Sequence, residues 1–259
     1  MFTWVPMHRE AIHRILEHRR NQRELLTILR EMAEQGLKVI SLQDECVNSQ
    51  STPSVAIDPF TFLASFNRRI ADKHRRDNWA FLKARWGLQA PVPNDFAGIP
   101  LHHNLASWRF PSFTNRVKAC VDYLWQVASL AADGDLDEVG EELFNRGLRV
   151  DRLPLVTLTV GLFWINPEKF LHAHPRTLAY GKSKGVTTIP MDYRTYGEWL
   201  KEITDRIGRN YLQVSYEANR FATRQQSQPG IKGPCVPSSE LDKITTQYLE
   251  DMLRDASQQ

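Results

Sequence analysis

Cysteine is scarce in this chain of 259 residues: Cys46, Cys120 and Cys235 are the only three, and they stand far apart. No CxxC pair occurs. A structural zinc site and a disulfide framework are therefore not expected, and three free thiols suit a reducing cytoplasm. Long apolar runs are also missing. The longest, residues 153–165, is interrupted by Pro154, Thr157 and Thr159, and it falls short of the ~20 residues that cross a bilayer. The opening MFTWVPMHRE has no charged segment leading into an apolar stretch, so no secretory signal is expected.

Catalytic signatures are the third absence. HExxH, GxSxG and GxGxxG do not occur. Residues 181–183 read GKS, but a phosphate-binding loop needs a glycine five positions earlier, where Arg176 stands. Asp133, Asp135, Asp137 and Glu138 have the spacing of a calcium loop without its glycine at position six or its glutamate at position twelve, which leaves a solvated turn. His102 and His103 would point to opposite faces of a strand. His172 and His174 would share a face but lack a third ligand. The expectation is a chain with no catalytic centre, no metal and no cofactor.

Hydrophobic residues make up 42% and charged residues 24%, enough apolar material for one large domain or two small ones. Apolar residues recur mostly at three- and four-residue spacings over 7–36, which predicts one long helix with Pro6 in its first turn, Gly36 just past its end and an outward face crowded with His8, Arg9, His13, Arg14, His18, Arg19, Arg20 and Arg23. Residues 37–42 (LKVISL) read as a strand and 43–54 as a loop. Asp58 followed by Pro59 reads as an N-cap and first helical residue, opening a helix to Asn67. Further helices are predicted over 72–87, 114–132, 136–146, 193–207 and 211–223; the apolar run 155–165 stays open between a strand, which its Val and Thr content favours, and a helix, the preferred reading. The proline-rich stretch 89–113 is an irregular connection, and long ordered connections are often functional. The fold class is thus predominantly α, with a few short strands. The main domain spans 1–223, with a possible subdivision near 89–113. A Gln/Pro/Gly/Ser-rich linker follows over 224–238, and then a lone amphipathic helix over 239–259.

The net charge of +3 says little by itself. Its distribution says more. Arg68, Arg69, Lys73, Arg75, Arg76, Lys83 and Arg85 face only Asp72 and Asp77. Such a cluster attracts phosphate backbones, and a solvated helix face is the plainer reading. Trp4, Trp108 and Trp164 stand in turn-like contexts. A tryptophan there either stacks on a base or packs a loop onto the core. Trp79, Trp86, Trp125 and Trp199 lie within helices and are expected in the core.

Several phrases occur here together and in order: FTWVP, IDPFTFLASFNR (57–68), VPNDFAGIP (92–100), NLASWRF (104–110) and LTVGLFWINPEKFL (158–171). In this order, over residues 2–220, the chain resembles the region that precedes the AAA+ motor in McrB-like proteins of prokaryotic modification-dependent restriction systems. The resemblance implies a domain that recognises target nucleic acid, typically double-stranded and modified DNA. It also implies an McrC-like nuclease subunit as partner, engaged through a motor that this sequence does not contain. On that reading Arg68, Arg69, Lys73, Arg75, Arg76 and Lys83 hold phosphates, while Asn104, Trp108 and Arg109 approach a base. The piece by itself is expected to be a cytoplasmic monomer with no membrane association. The competing expectation is a protein-docking module for a motor or nuclease subunit, favoured by the amphipathic tail.

Overall fold

Two segments of this sequence, PFTFLASFN and LVTLTVGLFWI, are apolar on every side, and helices of that kind belong in the interior. The computed structural model describes residues 2–45, 51–53, 56–101, 118–149, 153–208 and 210–226. Among these the chain runs α1 (Trp4–Glu17), a 3-10 turn (His18–Arg20), α2 (Gln22–Glu34), β1 (Gln43–Glu45), β2 (Ser51–Pro53), α3 (Pro59–Asn67), α4 (Asp72–Trp86), α5 (Lys118–Asp133), α6 (Leu136–Val139), α7 (Glu141–Arg149), α8 (Leu155–Ile165), α9 (Pro175–Ser183), α10 (Tyr193–Ile207) and α11 (Tyr211–Gln226). The fold is a predominantly α, multi-helix domain. Its two described strands pair antiparallel, with Asp44 opposite Thr52. Residues through Asn219 form one compact unit, and the described residues 220–226 fall in a second.

The two apolar segments are α3 and α8. All nine residues of α3 are buried, and so are nine of the eleven in α8. These two helices pack on each other, and α1 and α5 close around both. The close approach depends on Gly161, where an added Cβ would overlap the buried Phe60 ring. Polar groups inside this layer are tied locally. The Asp58 carboxylate caps α3 by accepting the Thr61 amide (2.8 Å) and hydroxyl (2.6 Å). Thr159 donates to Leu155 O and accepts the amide of Ala173 (3.0 Å). A second layer is built on α7 and α10, where Phe144 stacks on Tyr196 at 5.4 Å.

Local chemistry sets many of these boundaries. Asp192 and Thr195 form a capping box at the start of α10, and Asp135 and Glu138 form one at α6. The chain leaves α2 at Gly36 (φ 78°) and α4 at Gly87 (φ 65°). Both are left-handed positions where a side chain would be strained.

Four sequence expectations are corrected. The long helix over 7–36 is instead α1, the 3-10 turn and α2. No apolar residue lies between Glu17 and Glu24, so nothing there is available to bury and the chain turns. Residues 37–42 form no strand, because their carbonyls are taken by side chains: Asn78 donates to Lys38 O (2.8 Å) and Arg68 to Val39 O. The strands lie instead at 43–45 and 51–53, in the expected loop. Helix α9 is absent from the sequence expectation. Its signals are Pro175 at the first helical position and His174 as the N-cap, whose Nδ1 accepts the Arg176 amide. The GKS sequence at 181–183 is the last turn of that helix. The linker and tail expected beyond 226 lie outside the described residues.

Candidate nucleic-acid interface

The predicted basic segment spans the end of α3 and all of α4, and the structure divides it. Arg75 is only 2% exposed. Its Nε donates to Phe66 O (3.2 Å), its other nitrogens reach Asn67 Oδ1 and Asp72, and its guanidinium lies 3.8 Å from the centre of the Phe96 ring. Burial lowers its pKa to about 10, against the opposing pull of Asp72. Arg75 is thus a core residue and corrects the expectation of a surface phosphate contact. Lys83 reaches past the end of α4 and donates to the carbonyls of Leu88, Gln89 and Ala90 in the segment that follows. Arg68, half-buried, holds Val39 O. Arg85 is bound by Glu24 and Glu31 of α2.

Three cations of the set remain at the surface. Arg69 and Lys73 are exposed and Arg76 is half-exposed. They gather at the N-terminal end of α4, where Ala71 supplies no side-chain cap. Asp72 shares the first turn with them; a helix start favours negative charge. Lys73 and Arg76 have no ion pair among the described residues. The predicted base-reading residues Asn104, Trp108 and Arg109 lie outside the described residues.

Of the two alternatives for Trp4 and Trp164, the second holds: both are fully buried and pack a connection onto the core. Trp4 Nε1 donates to Ala97 O (2.9 Å) and Trp164 Nε1 to Pro100 O (3.1 Å). Together with Asp95, whose carboxylate accepts the Thr3 hydroxyl, and Glu10, which accepts the amides of Gln89 and Ala90, they strap residues 88–100 onto the helices. Trp86, expected in the core, is half-buried. It stacks on Phe62 on one side and on His18 of the 3-10 turn on the other, at 5.8 Å each.

The paired histidines serve the fold. The Thr177 hydroxyl donates to His172 Nδ1, His172 Nε2–H donates to Ser215 Oγ (2.6 Å), and Ser215 donates to Gly98 O. This chain of bonds ties α9, α11 and the 88–100 segment together. Burial lowers the pKa of His172 well below 6.5, with a further push from His174. Among the described residues no three His, Cys, Asp or Glu side chains are placed to hold a metal. A cleft of about 530 Å³ along α7 is lined by Glu141, Glu142, Asn145, Arg146 and Arg149. Its charges are of both signs, and Asn145 is occupied by the Tyr193 amide.

A second cationic surface lies at the 3-10 turn, within the basic outward face expected for the first helix; His8, expected on that face, is instead buried. Arg19, Arg20 and Arg23 are all exposed around the 3-10 turn and have no ion pair among the described residues. Their signal in the sequence is the apolar gap from Glu17 to Glu24, which marks a turn.

Among the described residues no helix is long and apolar enough to cross a membrane. No curated protein matches the chain. No solved structure matches it. The model of the family described as "Domain of unknown function (DUF8425)" matches residues 4–221, from the first helix to the last, and the chain belongs to that family.

Proposed function

We propose that this domain is a target reader for nucleic acid, in the manner of the regions that precede the motor in McrB-like restriction proteins, and that modified duplex DNA is its target. The carrying observation is the group Arg69, Lys73 and Arg76 at the uncapped start of α4. Cations and helix dipole act there on one anionic ligand, and the basic residues that serve the interior are separated from those that meet solvent. The reading is of binding, with nucleotide hydrolysis and cleavage belonging to a motor and an McrC-like nuclease partner. Fluorescence anisotropy with matched unmodified and cytosine-methylated duplexes at two salt concentrations tests it. Salt-sensitive binding that prefers one duplex supports a reader. Salt-sensitive binding without preference reduces it to a backbone-holding module. No binding at low salt refutes it.

A second reading, a protein-docking module for a motor or nuclease subunit, is favoured by the α9–α10 connection. Ile189 is 66% exposed and Met191 50%, yet their loop is pinned. Glu202 accepts the amides of Thr187 and Thr188, and Thr195 accepts that of Met191. A rigid loop presenting two large apolar side chains suits a protein contact. The double substitution Ile189→Ser with Met191→Ser should abolish co-elution with such a subunit and leave duplex affinity unchanged. Unimpaired co-elution would remove this surface from the reading.

A further inference from the structure

Resting on the nucleic-acid reading, we infer that the turn between α1 and α2 is a second phosphate-binding edge, and that Arg19, Arg20 and Arg23 hold the backbone of the same nucleic acid that meets the start of α4. Several arginines of the described surface are held in ion pairs. Arg9 pairs with Glu168, Arg14 with Glu17, Arg85 with Glu24 and Glu31, Arg194 with Glu198 and Arg206 with Glu202. The two acidic side chains that flank the turn, Glu17 and Glu24, are therefore already engaged, by Arg14 and Arg85. Three exposed guanidiniums within five residues are left without a counter-charge among the described residues. Guanidiniums in such a group repel one another, and a polyanion removes that cost while its counterions are released.

The turn is also fixed rather than free. Asn21 N–H donates to His18 O (2.8 Å), and Gln22 accepts the amide of Ile57 (3.2 Å). The His18 ring lies on Trp86, at the last residue of α4. This stack places the turn beside one end of α4, and Arg69 and Lys73 stand at the other. A helix of fifteen residues is about 20 Å long at ~1.5 Å per residue. At ~3.4 Å per nucleotide along one strand, that is about six phosphates. Between the two charged ends, the stripe that begins at Lys73 continues through Arg76, Asp77, Ala80 and Ala84.

The experiment compares the full chain with R19A/R20A/R23A and with R19K/R20K/R23K in duplex binding by anisotropy from about 50 to about 200 mM salt. Each lost phosphate contact lowers the logarithmic salt slope by about 0.9, so losing all three should make affinity about 40-fold less sensitive across that range. Weakening should be equal for all duplex sequences, and the lysine variant should retain most of the slope. Circular dichroism should be unchanged, because the three side chains are exposed. Wild-type affinity and slope in the alanine variant would overturn the inference while leaving the reader intact. Loss of adhesion to vesicles of anionic phospholipid, with duplex binding untouched, would assign the arginines to a membrane surface and overturn it too. A wild-type chain that binds no duplex would instead remove the reading beneath it.

Discussion

Acid should destabilise this domain before its carboxylates begin to titrate, and the reason is its buried histidines. His8 is fully enclosed, with its ring 4.9 Å from Trp4 and 4.7 Å from Trp79, and its Nδ1 faces Trp164 O at 3.4 Å. Burial lowers its pKa from 6.5 to about 3, assisted by the positive charge of Arg75 and only partly offset by the Trp164 carbonyl. Burial lowers His174 to about 4, with Arg176 adding to the effect, and lowers His172 in the same direction. In each case the folded pKa lies below the unfolded one, so the native state binds fewer protons than the unfolded chain. Above the unfolded value the histidines are neutral in both states and cost nothing. As pH falls through 6.5 the unfolded chain takes up protons that the native state refuses, and stability drops until the folded pKa is reached. At about pH 5 the unfolded histidine sits about 1.5 units below its pKa, which at 1.36 kcal/mol per unit costs about 2 kcal/mol for His8. His174, part-exposed, adds up to about the same, and His172 adds further. The sum is a large share of the ~5–15 kcal/mol by which domains are stable. Urea unfolding followed by tryptophan fluorescence at about pH 7.5 and about pH 5 measures it. The window isolates the histidines. The Glu202 carboxyl, for example, is lowered to about 2, first by its bonds to Thr188, then to Thr187 and Arg206. Its contribution is present above the unfolded value of 4.5 and is lost only as pH falls below that. His174→Asn, which keeps an N-cap acceptor, should flatten the pH slope. A loss smaller than about 1 kcal/mol between the two conditions would refute the reasoning, because a neutral, enclosed His8 cannot escape this linkage.

Arg75 and Arg76, neighbours in sequence, should behave as opposites. Arg75→Ala leaves Phe66 O and Asn67 without their donor and should cost about 3 kcal/mol in thermal or urea unfolding, whereas Arg76→Glu should leave the melting temperature in place and weaken duplex binding. Equal melting temperatures for the two would return Arg75 to the surface. Gly161→Ala drives a methyl group into the Phe60 ring between α8 and α3 and should destabilise by about 1–3 kcal/mol by calorimetry; a neutral result would show that the two helices can part. Asp58→Ala removes two bonds to Thr61 and should lose about 1–2 kcal/mol, largely restored by Asn, and failure of Asn to restore it would point to the charge instead of the cap.

The element types that rest on neighbouring residues are legible in the amino-acid order alone. Asp58–Pro59 opens α3 and Asp72 to Gly87 bound α4, because caps, left-handed exits and helical periodicity act within a few residues; the run at 155–165 is apolar on every side, so its local pattern leaves strand and helix open and the structure makes it α8. The break at His18–Arg20 is written as an apolar gap but is masked by the good periodicity on either side. The missing strand at 37–42 is not legible in the same way, since its carbonyls are taken by Asn78 and Arg68, about thirty to forty residues away.

Charge is the least legible property. One stretch of sequence supplies Arg69 and Lys73 to the surface, Arg75 to the core and Lys83 to the end of a helix. Helical spacing puts Arg75 on the face of Trp79 and Leu82, but spacing does not say that an arginine there is covered. Arg75 is buried because Phe96, on a strap held down by Trp4 and Trp164, closes over it. The sequence by itself determined a helical, metal-motif-free chain with an excess of positive charge near α4, because composition and local periodicity need no partner. Only the tertiary structure decided which of those charges meet solvent and added the arginines of the α1–α2 turn to them, because burial and ion pairing are settled by residues brought together from distant parts of the chain.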